Sequence, residues 1–496
     1  MADPFLQGHL ARTRIFDLGR RTPVSIRDQL LRADYLVERL VTSRYLHSKA
    51  HVLVIGAGVA GVSTAIYAAR QGATVVLIVA RPHPITLQSG CRTRWVDPSQ
   101  YDWPAEHANA ARWPPARSRV AAPLGFSANF ADQLAIHWAN VLVAAQLTHG
   151  ARLKIMYGAT VGVLWLVTLP SGITRVSAEV TDTYGVVTST RFNAVIFARG
   201  FSGERTTVPL SAPATAPAAP LSLAPAPLPP EFTGQKFWED DTFETANFGL
   251  PASQQGDVLV SGAGDGALQD YIRLTTGRKS AIEILNTVLP RAGSTAALRL
   301  RVQSRAVDIE NQMQRAMLWN GGEEQDHRPL MQGHAAYRTL LAQIARSRPK
   351  EWTQLLDEVA VFTSGRGAER VYLFHGCDHF SVAYGLNHLV TLLIDAQVTR
   401  DFGSSRIGNR ARIETVSPTP NPAGIAHHCP TMTPPVRCWG HPHVVEVSWG
   451  GTCGMPGSPM LRPHAFDGVV IRHGVRFVGR RLPPIRQVLP LHVPEP

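Results

Sequence analysis

Lysine is scarce in this chain. It stands only at 49, 154, 236, 279 and 350, so nearly all of the formal charge of +12 is carried by arginine, scattered with no run of five or more basic residues. A nucleic-acid partner is therefore not expected, although a cationic surface would attract a phosphate-bearing cofactor or an anionic small molecule. Cysteine is nearly absent. The five present are an odd number spread over the chain, which suits reduced thiols in a cytoplasmic protein better than a disulfide framework. The opening MADPFLQGHLARTRIFD has no uninterrupted apolar core of the signal-peptide kind. Two long uncharged stretches, 155–174 and 206–230, are broken by glycine and proline, so no membrane span is expected. What remains is a chain of 496 residues, 44% hydrophobic, long enough for two or more lobes.

What is present is concentrated in HVLVIGAGVAGVSTAIYAARQGATVVLIVA, His51 to Ala80. Four apolar residues, Val52 to Ile55, read as a buried parallel strand. They run straight into Gly56, Gly58 and Gly61. In a strand–turn–helix of this kind the first glycine permits the tight turn, the second lets the backbone approach a pyrophosphate, and the third lets helix and strand pack closely. Phosphates would sit at the positive end of the helix, beside Val59 and Ala60. Gly72 ends that helix and Thr74 to Val79 reads as the next strand. Val79 and Arg81 occupy the place where an acid would hold a ribose hydroxyl. Without that acid, and with an arginine nearby, the site suits the 2′-phosphate of NADP.

The 30-residue unit resembles the N-terminal FAD-binding segment of the two-dinucleotide-binding-domain flavoproteins, which include amine oxidases, disulfide reductases and monooxygenases. That resemblance implies an α/β fold: a Rossmann-like FAD domain over 50–206 with a β-meander inserted. It further implies that RFNAVIFARG ends beside the cofactor at Gly200, and that the irregular segment after the second strand returns toward the flavin. Arg94, Tyr101, Asp102 and His107, with Cys91, Arg92 and Trp103, are accordingly the candidates near the reacting centre. Arg94 is the candidate for an anionic substrate group; the alternative is that these aromatic and charged residues only cover the sheet edge.

Around this domain the chain divides further. Residues 1–49 read as a helical extension, with Ile26, Leu30, Leu31, Leu36 and Leu40 as its stripe. A helix is expected from 129 to 150 with Leu134, Ile136, Trp138, Val141 and Leu142 inside, then strands over 154–157, 161–168, 174–181 and 186–192. Residues 207–255 are an excursion, Pro/Ala-rich to 230 and then carrying four acids, Glu239, Asp240, Asp241 and Glu244, that read as an exposed turn and helix start. A second glycine motif at 256–275 contains Gly264, Asp265 and Gly266. It opens either an NAD(P)H domain or, by the same resemblance, the strand whose aspartate contacts FAD, and the latter is slightly preferred. Residues 276–400 read as a mainly helical second lobe, and 401–496 as a segment returning to the nucleotide domain. The His/Cys-containing stretches lack metal-ligand spacing, and no metal is expected. The expected protein is an FAD-dependent oxidoreductase acting on a small molecule. An NADP-dependent dehydrogenase without flavin and a non-catalytic dinucleotide-binding protein are the alternatives.

Overall fold

Four consecutive apolar residues suit a parallel strand covered on both faces. In the computed structural model Val52, Leu53 and Val54 are fully buried in β3 (His51–Ile55), near the middle of a six-stranded sheet. The structure describes residues 3–20, 25–105, 112–114, 122–200, 204–209, 231–245, 257–290, 296–319, 328–380, 383–418, 443–449, 460–473 and 485–488. The first sheet takes β1 (Leu10–Arg12), β2 (Ile15–Asp17), β4 (Thr74–Val79), β5 (Leu153–Tyr157) and β9 (Ala194–Phe197) as its other strands. Its order is β1-β2-β9-β3-β4-β5. From β2 to β5 every neighbouring pair is parallel.

The period of two along a strand assigns the faces. Val52 and Val54 share a core with α1 (Ile26–Thr42), α2 (Val59–Arg70) and α3 (Ala131–His149), through residues such as Leu30, Ala33, Ile66 and Trp138. Leu53 and Ile55 point the other way, onto Leu164, Val176, Ala178 and Phe192. These come from the meander β6 (Thr160–Thr168), β7 (Thr174–Thr181) and β8 (Val187–Phe192), whose free side is closed by the parallel β17 (Ile485–Val488). Within α3 the large buried residues are Leu134, Trp138 and Leu142, whereas Ile136 is 55% exposed. The four-residue spacing of the buried set leaves Ile136 on the outer face.

A second parallel sheet organises the other lobe. Its strands are β10 (Val258–Ser261), β11 (Val371–His375), β12 (Ile407–Asn409) and β16 (Gly468–Ile471), in the order β12-β11-β10-β16. All three pairs are parallel. This repeats the order β5-β4-β3-β9 of the first sheet, each lobe having its glycine strand third. A meander again precedes the last strand: β13 (Ala411–Pro418), β14 (His443–Trp449) and β15 (Met460–Phe466). Val258 and Val260 face helices, and Leu259 faces the meander.

The helices are α4 (Asp265–Thr276), α5 (Ala281–Val288), α6 (Ala296–Trp319), α7 (Arg328–Ser347), α8 (Pro349–Thr363) and α9 (Gly385–Phe402). Four of them, α5 to α8, are inserted between α4 and β11. The second lobe is thus rich in helix but built around a sheet.

Three placements differ from the sequence reading. Residues 10–17 are strands of the first sheet rather than part of a purely helical extension. The segment Phe466–Ile471 returns to the second sheet, whereas Ile485–Val488 reaches the first lobe. Cys91 is a buried free thiol as expected, but Cys377 is disulfide-bonded, with its partner outside the described residues. Among the described residues no helix is long and apolar enough to cross a membrane.

Candidate functional site

The glycine turn after β3 is dictated by contacts that leave no room for a side chain. Gly56 has φ +109, and a Cβ there would lie 2.5 Å from the Ala198 carbonyl oxygen. A Cβ on Gly61 would lie 1.9 Å from the carbonyl oxygen of Gly56, so helix and turn touch backbone to backbone. Gly58 is different: it is exposed, and a Cβ on it would have nothing within 4 Å. It precedes Val59 and Ala60 at the start of α2, and no side chain caps that helix. The outcome is an uncapped helix N-terminus with open space in front of it, the arrangement that receives a phosphate group.

Gly200 lies beyond β9 at the same edge, with φ +70 and nothing within 4 Å of a built Cβ. Val79 is 2% exposed and Arg81 is exposed. The second strand therefore presents no carboxylate to a ribose.

The expected reacting segment is partly accounted for. His107 lies outside the described residues. Arg94 is 1% exposed, and its guanidinium is held by Asp270, by Asp241 at 3.3 Å and by the Phe237 ring at 3.9 Å from its centroid. A guanidinium committed to two buried carboxylates is not presented to substrate, which corrects the expected role and removes the warrant for an anionic substrate. The same network corrects two of the four acids, whereas Glu239 and Asp240 pair with the exposed Lys236 and Arg92 at a surface turn. Asp241 is fully buried and binds Arg273 at 2.5 Å, and Glu244 binds Arg273 at 2.6 Å; these acids neutralise arginines inside the protein.

Tyr101 is buried, stacked edge-on against Tyr384 at 4.9 Å, and burial pushes its phenol well above the usual range. Asp102 receives Arg27 Nη1 at 2.7 Å. That pair sits where α1, the 99–102 segment and the start of α9 meet, because Arg27 also lies over the Tyr384 ring. Arg27 also binds the adjacent Asp28 at 2.8 Å, but local sequence could not reveal its link to Tyr101 and Asp102, about 75 positions away.

At the second turn, Gly262 has φ +147 and a Cβ there would meet the Arg472 carbonyl oxygen at 2.3 Å. A Cβ on Gly266 would touch the Phe237 ring at 3.2 Å. Gly264 is the N-cap of α4. Asp265, the first helical residue, points inward. Its carboxylate accepts from Gln269 Nε2 at 2.6 Å, Asn387 Nδ2 at 2.7 Å and the Tyr384 amide at 3.2 Å. It thereby ties α4 to the start of α9, and burial raises it to about 6. Asp265→Ala should lower the melting temperature equally with and without added cofactor. A loss confined to the loaded protein would restore the expected cofactor contact.

Glu310 in α6 reaches the same helix start. It accepts from Tyr337 Oη at 2.9 Å, is 6% exposed, and burial raises it to about 7. An unfolded glutamate titrates near 4.3, so between about 4.3 and 7 the folded state keeps a proton that the unfolded state has lost, and stability falls as pH rises through that window. Glu310→Gln should therefore melt higher than the parent at about pH 8.5 and show no gain below about pH 4.5. An equal shift at both would show that ionisation is not the cause.

Residues 51–159 match the family model described as DAO, FAD dependent oxidoreductase. The chain carries an FAD-dependent oxidoreductase domain. The turn of this oxidoreductase fits the cofactor, since its open Gly58, uncapped α2 and side-chain-free Gly56 and Gly61 form a cradle that a Cβ would fill. No curated protein matches the chain. Among solved structures, the bacillithiol disulfide reductase of Staphylococcus aureus is 11% identical over 87% of this chain and 78% of its own, with a TM-score of 0.37. The thioredoxin reductase of T. acidophilum is 12% identical over 86% and 78%, with a TM-score of 0.34. A cyclohexanone monooxygenase of Rhodococcus sp. Phi1 bound to NADP+ is 13% identical over 86% and 72%, with a TM-score of 0.31. At such scores the likeness carries neither substrate nor mechanism.

Proposed function

We propose that this oxidoreductase takes electrons from a nicotinamide dinucleotide at the second lobe and delivers them through FAD, held at Gly56–Gly61, to a small-molecule substrate. The observation that supports the reading is the repeated strand order, with a second glycine turn at Gly262–Gly266 on the corresponding strand. Open α/β sheets bind ligands outside the carboxyl ends of their strands, and both glycine turns stand at that edge. This favours the NAD(P)H reading of the second motif over the FAD-contact reading, because β10 belongs to a sheet of its own.

When bound, the flavin supplies the hydride chemistry. The chain's own part is to cradle the pyrophosphate with the amides of Val59 and Ala60, to close the turn with Gly56 and Gly61, and to bring Gly200 beside the cofactor. Tyr101 and Asp102, at the meeting of α1 and α9, would shield the junction from water. Asp102 is ion-paired with Arg27, and Tyr101 keeps its proton at neutral pH, so the phenol does not serve as a base there.

Val79 and Arg81 favour a second reading, an NADP-dependent dehydrogenase without flavin. Anaerobic titration of the purified protein separates the two. Yellow protein bleached by NADH or NADPH supports the proposal; colourless protein that binds NADPH supports the second reading. Yellow protein reduced by neither nucleotide would remove the nicotinamide step and leave a flavoprotein reduced by its own substrate.

A further inference from the structure

The carboxyl edge of the first sheet has a contributor from the N-terminal segment. β2 runs parallel to β9, with Ile15 opposite Val195, Phe16 opposite Ile196 and Asp17 opposite Phe197. It therefore ends level with β9 and β3, whose continuations are Gly200 and the Gly56 turn. Asp17 is the last residue of β2 and is half-buried. Its Oδ1 accepts the Gly19 amide at 2.8 Å. The turn that follows lies against Gly200: a Cβ on Gly19 would be 3.2 Å from the Gly200 carbonyl oxygen and 3.2 Å from Asp17 Oδ1.

Beyond this turn the chain enters α1, which shares a core with α2. Two strand–turn–helix units thus stand side by side, β3 with α2 and β2 with α1, their strands flanking β9. One presents helix amides and suits phosphates. The other presents a carboxylate and suits hydroxyl groups. β4, on the far side of β3 from β9 and β2, ends in Val79 and supplies no acid.

We propose that Asp17 is a cofactor-binding residue, its carboxylate accepting hydrogen bonds from sugar hydroxyl groups of the FAD held at Gly56–Gly61. The assignment rests on the FAD reading of the first site and deepens it. It makes the N-terminal segment part of the site. Gly19 is then required bare, since any side chain would enter the gap between Asp17 and Gly200.

The test uses the full-length protein stripped of flavin. FAD affinity is read by quenching of flavin fluorescence, and melting of the stripped protein is read alongside, for the parent, Asp17→Asn and Asp17→Ala. Asp17→Asn retains an acceptor for the Gly19 amide and is expected to melt with the parent while binding FAD about tenfold more weakly; Asp17→Ala is expected to lose about ten- to hundredfold. Parent-like affinity in both variants would overturn the assignment and leave the FAD reading intact. So would a loss of affinity in Asp17→Ala alone that tracks its melting temperature, because Asp17 would then only hold its turn. A parent that binds no FAD would overturn the FAD reading itself and Asp17 with it.

Discussion

Gly61→Ala should leave the protein without flavin and less stable, although alanine is the better helix former by about 1 kcal/mol. The helix preference is overruled by a contact of 1.9 Å between the new Cβ and the Gly56 carbonyl oxygen, which forces α2 away from β3. The expected cost is at least the ~1–3 kcal/mol of an overpacked core, and the turn that cradles the phosphates is lost with it. Gly58→Val provides the contrast. Nothing stands within 4 Å of its Cβ, so the ligand-free protein should melt as the parent does while the branched side chain fills the phosphate space. Flavin-to-protein ratios and melting curves of the two variants check both halves. Full flavin in Gly58→Val would mean that the cofactor lies elsewhere.

The second large effect is expected at Asp270. This fully buried carboxylate is shared by three buried arginines, Arg94, Arg273 at 3.2 Å and Arg472 at 2.6 Å. Their positive charge holds it far below the ordinary carboxylate range. Because its folded value is depressed, its contribution is fully present above about 3.9, the unfolded value, and is lost only as pH falls through the folded one. At neutral pH, Asp270→Ala strands guanidinium groups in a dry interior, with an expected cost of ~3–5 kcal/mol. Arg94 comes from the first lobe's segment and Arg273 from α4, so the loss should also loosen one lobe from the other. Denaturant midpoints measure it; a change below about 1 kcal/mol would place the network among weak surface pairs.

The features legible in the sequence were those with a local cause. Val52–Ile55, the glycine spacing and the meander strands follow from patterns within ten residues or so. The contributions of β2 and β11 were hidden for different reasons. Three residues, Ile15–Asp17, are too few to show a period, and their pairing with β9 spans the whole first domain. β11 follows β10 only after five helices, so the second nucleotide-type unit lacked the neighbour that would have identified it. Asp241 and Glu244 looked exposed because four acids in six residues usually are, and the arginines that justify their burial lie about 30 and 150 positions away. Arg94 was misassigned for the same reason: its carboxylates are distant in sequence.

The repeated strand order also sets a timetable for folding. A parallel pair must close the loop between its strands before any contact rewards it. In the first lobe β3 meets β4 after one helix, and the sheet can be finished once β9 has emerged at Phe197. In the second lobe β10 meets β11 across an inserted helical bundle and waits for β16, at Gly468–Ile471. During synthesis the first sheet therefore assembles while β10 remains without partners, and β6 keeps an open edge until β17 arrives at Ile485. A ribosome that stops short of β16 would release a finished nucleotide cradle joined to an unpaired, aggregation-exposed half.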